Sequence, residues 1–360
     1  MAVRITPGAR TVFIEGDELY GAMLDAISRA RHSIKLESYI FADDEIGRRF
    51  AAALGERARA GVQVLVNIDA AGSLFWASRR LEKTLRRDGV RVHWFHRWSW
   101  REPSRYNRRN HRKLLVVDGR VGFLGGFNIH RENSREIYGE ARWRDTHLEV
   151  HGRLARMLQI LFDAFWRGQR RNYPFIQEPG GDTLITNHSR RGRLFLRDLY
   201  AARFAAAHQR IWLSTPYFVP DRRTQRNLMA AARRGLDVRV LVPRKSDVRI
   251  AQWAARAAYA GLLNAGVKIY KYQPRMLHAK ILVVDGHWSS IGTANIDYRS
   301  FFLNYELNLV SRDGELATAL EQQFLDDLKQ SEQIYPARWA QRNWLGRILE
   351  LVGWLARRWL

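Results

Sequence analysis

The 360-residue chain contains no cysteine. That excludes a disulfide framework, thiolate metal ligands and thiol catalysis, and it fits a reducing compartment. Long apolar runs are missing as well. No stretch of about 18 uncharged apolar residues occurs, so the sequence predicts no spanning helix. The first residues, MAVRITPGARTVFIEGDELY, lack the apolar core of a signal peptide. Acidic residues are the third scarcity. Asp and Glu total 36 against 60 Lys and Arg, a formal charge of +24. Such a surplus predicts attraction to polyanions, and nucleic acid and anionic lipid headgroups both qualify. What the chain has in quantity is core material. At 46% hydrophobic and 12% aromatic residues, disorder is excluded.

The two halves of the chain resemble each other. ARHSIKLESYIFADD from Ala30 answers AHQRIWLSTPYFVPD from Ala207, and GVRVHWF from Gly89 answers GVKIYKY from Gly266, both at an offset of 177 residues. HRKLLVVDGRVGFLGGFN from His111 answers HAKILVVDGHWSSIGTAN from His278 at an offset of 167. The first half therefore carries about ten extra residues before its histidine. Helical patterns such as Ile46–Ala60 and Thr224–Arg234 alternate with apolar runs such as Val62–Ile68 and Val238–Val242. Leu114–Val117 and Ile281–Val284 end in Asp-Gly, which predicts hairpins with Val121–Leu124 and Trp288–Ile291. The pattern predicts an α/β fold: two homologous halves, each a mixed sheet flanked by helices, related by a pseudo-twofold axis. Residues 1–176 and 183–336 are the expected domains, with the Gly/Pro-rich Gln177–Asp182 between them and a basic amphipathic helix over 337–360.

Each half carries His-x-Lys-x-x-x-x-Asp: His111, Lys113 and Asp118, then His278, Lys280 and Asp285. Positions i and i+2 of a strand share a face, so His and Lys project together. Gly125-Gly126-Phe127-Asn128 and Gly292-Thr293-Ala294-Asn295 follow at matching distances. Two Lys ammonium groups and two Asn amides would hold phosphate oxygens. One imidazole would attack phosphorus and the other would serve as acid and base. Fixed cations supply the charge, so no metal or other cofactor is expected. A zinc site from His111, His130, His147 and His151 fits worse, because the spacings are irregular and Lys113 would repel a cation.

The doubled motif resembles the phospholipase D superfamily over nearly the whole chain. Within it the sequence is similar to bacterial cardiolipin synthases, especially the shorter type without N-terminal transmembrane helices. Thr215–Asp221, Gly292–Ser300, Leu303–Asn308, Glu37–Phe41 and Trp143–His147 carry that likeness. The resemblance implies a phosphatidyl group passing from phosphatidylglycerol to an active-site histidine with release of glycerol, then to a second phosphatidylglycerol. It implies His111 as nucleophile and His278 as acid and base, with the reverse open. Lys113, Lys280, Asn128, Asn295 and Thr293 fall at phosphate-binding positions. Asp118 and Asp285 complete the motifs and support their geometry. Asp145 and Glu306 fall at acidic positions that would orient the imidazoles.

Two segments point to a membrane surface. WLGRILELVGWLARRWL puts Trp344, Leu345, Ile348, Leu349, Val352, Leu355 and Trp359 near one helical face, with Arg347, Arg357 and Arg358 elsewhere. Either an interfacial helix or a helix docked on the core fits this pattern. Trp94–Asn110 interleaves aromatics with arginine, for headgroups or for the mouth of the site. The expected partner is thus anionic phospholipid at the cytoplasmic face of the cell membrane, bound peripherally, with no obligate protein partner. A phospholipase-D-type hydrolase, a nuclease of the same superfamily binding nucleic acid, and a non-catalytic polyanion-binding protein are the alternatives.

Overall fold

The computed structural model describes residues 2–5, 10–169, 175–177 and 181–356. Arg357, Arg358, Trp359 and positions 178–180 of the inter-half stretch lie outside the described residues, as do the side chains of Leu345 and Arg347. The first half contributes β1 (Val3–Ile5), β2 (Arg10–Phe13), β3 (Ser33–Ser38), β4 (Gln63–Asp69), β5 (Arg91–Phe95), β6 (Leu114–Val117), β7 (Val121–Gly125) and β8 (His147–His151). The second contributes β9 (Phe175–Gln177), β10 (Thr183–Thr186), β11 (Arg210–Ser214), β12 (Asp237–Pro243), β13 (Lys268–Tyr272), β14 (Ile281–Val284), β15 (Trp288–Gly292), β16 (Leu307–Ser311) and β17 (Ser331–Ile334).

The two sheets share one plan. In the first the order is β1-β2-β8-β7-β6-β3-β4-β5, and in the second β17-β13-β12-β11-β14-β15-β16-β10-β9. β3, β4 and β5 run parallel, as do β11, β12 and β13. β3 then pairs antiparallel with β6, and β11 with β14. The helices that follow β3 and β11 start at equivalent caps. Asp44 accepts from Gly47 N at the head of helix Glu45–Arg59, and Asp221 from Thr224 N at the head of helix Arg222–Arg233.

The expected hairpins are present, and their unbroken apolar runs have a packing reason. Leu115 and Val117 of β6 face the core of their own half, while Leu114 and Val116 face the other way. β14 divides likewise, Leu282 and Val284 inward, Ile281 and Val283 outward. The outward sets meet in one shared cluster with Leu124, Leu148, Leu307 and Leu309. A strand buried on both faces loses its polar alternation. The halves are joined by this core and by Arg144, whose guanidinium forks onto Asp327 at 2.8 and 3.0 Å.

Candidate active site

Each histidine is positioned by the opposite half. His111 N donates to Tyr305 O (2.9 Å) and Tyr305 N to Arg109 O (2.8 Å). In mirror fashion His278 N donates to Arg144 O (2.7 Å) and Arg144 N to Met276 O (2.8 Å). The carboxylates cross over too. Glu306 lies 2.9 Å from His111 Nδ1, and Asp145 lies 2.5 Å from His278 Nδ1. An ionised carboxylate only accepts, so each Nδ1 holds the proton and each Nε2 keeps a free lone pair. Asp145 and Glu306 are buried, yet Lys280 and His278 outweigh burial at Asp145, and His111 and Thr293 outweigh it at Glu306. Both carboxyls stay below the usual carboxylate range and remain ionised.

Burial pushes His111 down to about 4 and His278 down to about 3, so both rings rest neutral at pH 7. Lys113 and Lys280 sit beneath them, donating to His111 O (2.8 Å) and His278 O. Burial, and for Lys113 next the charge of Lys280, lowers them to about 7 and about 8. Two buried ammonium groups in mutual repulsion form a site that an anion would stabilise.

His111, His278, Asn128 and Asn295 line one cavity of about 320 Å³. Asn128 accepts from Ile40 N through Oδ1, and Asn295 Oδ1 is buried with no hydrogen-bond partner among the described residues. Tyr39 packs edge-on against His111, with ring centres 5.0 Å apart, and Trp143 and Tyr217 flank His278 at 5.1 and 6.4 Å. Arg109, Arg299, Asp247 and Asp297 complete the polar lining. Sequence reasoning gave none of these seven side chains an individual role, though Arg109 lies in the Trp94–Asn110 segment expected at headgroups or the mouth of the site. Tyr39 and Tyr217 were hidden by a slip of one: at the repeat offset Tyr39 aligns with Pro216, and Tyr217 with Ile40.

Of the expected residues seven do not line the cavity: Lys113, Lys280, Asp145 and Glu306 are buried against the two histidines, while Asp118, Asp285 and Thr293 serve the surrounding strands. Asp118 and Asp285 stand at the far ends of β6 and β14, in left-handed turns with φ of 52° and 54°. Their carboxylates accept from the backbone N–H groups of Arg31, His32 and Ser33, and of His208, Gln209 and Arg210. They tie the hairpin turn to the start of β3 or β11. Thr293, expected at a phosphate-binding position, is placed against a carboxylate. Its buried hydroxyl donates to Glu306 (2.5 Å) and accepts from Leu307 N (2.9 Å), so it holds the carboxylate. The first half has Gly126 in its place, because a Cβ there would lie 1.9 Å from Asp145 Oδ1. The shorter carboxylate and the missing side chain go together.

The other histidines do not gather. His130 lies between the Trp76 and Trp143 rings, His147 lies beside Phe127, and His151 contacts Glu149. Among the described residues no group of three or more His, Asp or Glu is arranged to hold a metal ion.

A family model described as cardiolipin synthase, phospholipase-D-like domain, matches residues 23–162 and again 200–328. A cardiolipin synthase of Geobacillus thermodenitrificans is 39% identical over 95% of the chain and 70% of its own length. A probable cardiolipin synthase of Bacillus subtilis is 35% identical over 94% and 70%. A phosphatidylserine synthase of Haemophilus influenzae has the same fold, with a TM-score of 0.71 at 13% identity, covering 99% of this chain and 94% of its own.

Proposed function

Because the chain belongs to the cardiolipin synthase family of phospholipase-D-like proteins, we propose that it is a phosphatidyltransferase joining two phosphatidylglycerol molecules into cardiolipin. The observation that carries this reading is the meeting of His111 and His278 in one cavity, each with a carboxylate on Nδ1. His111 Nε2 attacks the phosphorus of the first lipid, forming a P–N bond as the P–O bond to glycerol breaks. His278 protonates the departing glycerol oxygen. It then takes the proton from a hydroxyl of the second lipid, whose oxygen displaces His111 from phosphorus. A bound phosphodiester anion opposes the effect of burial and raises the His278 pKa, so the acid is formed by substrate binding. Lys113, Lys280, Asn128 and Asn295 hold the non-bridging oxygens.

The site works peripherally on the cytoplasmic leaflet. Helix Trp344–Ala356 supports this. It docks on helix Arg249–Asn264 through Gly346, Glu350 and Gly353, while Trp344, Ile348, Leu349, Leu351, Val352 and Leu355 face outward. Among the described residues no helix is long and apolar enough to cross a membrane. Trp98 and Trp100 of the extra segment are exposed as well.

The test gives purified protein phosphatidylglycerol vesicles, and separately plasmid DNA, with chelator present. Cardiolipin and free glycerol are expected. Phosphatidic acid alone would make the protein a hydrolase, and nicked DNA with intact lipid would make it a nuclease. H111A and H278A should each lose at least about a thousandfold in kcat. Full activity in either would end the two-histidine mechanism.

A further inference from the structure

The twofold resemblance of the halves breaks down at one place in the cavity. Arg109 and Arg299 both line it. At the repeat offset their counterparts are Met276 and Glu132, so only one of the two equivalent flanks is cationic. Arg109 comes from the end of the extra segment and stacks on the Tyr106 ring at 4.2 Å. Arg299 is fixed across the half boundary, donating to Asn107 O (2.7 Å) and Asn107 Oδ1 (3.0 Å). These bonds engage both terminal nitrogens and hold the guanidinium in place at the cavity wall.

Three carboxylates stand by the pair, and each has donors of its own; Asp247 accepts from the Tyr217 hydroxyl at 2.7 Å. The Asp69 carboxylate is taken by the backbone N–H groups of Ala71, Gly72 and Asn110, and Asp297 by Ser300 N. Burial pushes Asp297 up to about 7, so it is a weak counter-charge. Arg109 Nη1 is buried with no hydrogen-bond partner among the described residues. Burial, and next the neighbouring Arg109 charge, lowers Arg299 from its usual range. Arg109, with a buried unused N–H and a second guanidinium beside it, carries a free-energy cost that an anion in the cavity would offset.

We propose that Arg109 and Arg299 form a second anion site, which binds the phosphodiester of the acceptor lipid. This rests on the synthase reading given above. In that reaction two phosphodiesters share one cavity. The Lys and Asn groups hold the phosphorus under attack. The acceptor brings its own phosphate, a three-carbon glycerol arm away from the attacking hydroxyl. An uncharged alcohol or water makes no use of the arginines, so the pair favours lipid acceptors over hydrolysis.

The test is a competition for the phosphohistidine. Mixed micelles of phosphatidylglycerol and detergent are supplied with ethanol at fixed concentration, and cardiolipin and phosphatidylethanol are measured together. Their ratio is independent of donor binding, which both products share. R109Q and R299Q are expected to lower the cardiolipin to phosphatidylethanol ratio about tenfold, and R109K less, since it keeps charge without the fork. A wild-type ratio in R109Q and R299Q overturns the site. If the glutamine variants give neither product, R109K and R299K decide, and wild-type ratios in both overturn it. A wild-type protein that makes phosphatidylethanol but never cardiolipin defeats the synthase reading, and the site with it.

Discussion

At the scale of single residues, the chemistry rests on which atom carries a proton. Glu306 and Asp145 fix the proton on Nδ1 of His111 and His278. E306Q and D145N leave the shape but remove the acceptor charge, and each should cost about a hundredfold or more in kcat. G126A should match D145N, because its new methyl occupies the Asp145 carboxylate position. Near-normal turnover in G126A would mean that Asp145 can work from elsewhere. Lys113 and Lys280, at about 7 and about 8, lose charge as pH rises through that range. kcat/KM should therefore fall above pH about 8 and fall again as His111 gains a proton near pH about 4. The lowered lysine pKa also has a sign for stability. The folded state holds the Lys113 proton less tightly than the unfolded chain, so below its unfolded value the buried charge destabilises the fold. K113M should be inactive yet about 1 kcal/mol or more stabler, which thermal unfolding would read. The His-Lys-Asn set was legible in the sequence because it occurs twice. The part of Thr293 was not legible, because a hydroxyl at that position looks available in the sequence and is bonded to Glu306 in the fold.

At the scale of elements, the strands that bear the motifs were legible, because Leu114–Val117 and Ile281–Val284 are buried on both faces and end in a turn. The tail helix was legible only in part. Its apolar stripe was visible, but the side that docks is marked by Gly346, Glu350 and Gly353, which carry little hydrophobic signal. A Cβ at Gly353 would lie 2.3 Å from Ala254 N, so the two helices touch at their backbones. Glu350 is buried there with Arg342 at 2.9 Å. Docking therefore uses the weak face and leaves the apolar one outward. L351S with L355S should lower the partitioning of the protein onto phosphatidylglycerol vesicles about tenfold, with kcat on detergent-dispersed lipid changed less. Sedimentation with vesicles measures this. Equal binding by the double variant would leave the exposed face without a part in membrane contact.

At the scale of the whole molecule, neither half holds a complete set of the groups proposed for catalysis. His111 depends on Glu306, His278 depends on Asp145, and each backbone segment leading to a histidine is bonded to the other half. The repeat in the sequence made the doubling plain, but not this exchange, because an alignment of halves shows likeness and not contact. The shared apolar cluster and the buried Arg144–Asp327 fork hold the exchange together. One chain therefore builds one site, with both histidines its own. Equal amounts of H111A and H278A, mixed after separate purification, should stay as inactive as either alone. If halves traded between two chains, the mixture would form some sites with both histidines intact, and up to about a quarter of wild-type activity would return. The same mixture refolded together from denaturant sharpens the result, since unfolding removes any kinetic block to trading. Inactivity after refolding, beside full recovery of wild-type protein treated alike, is the outcome that a site closed within one chain requires.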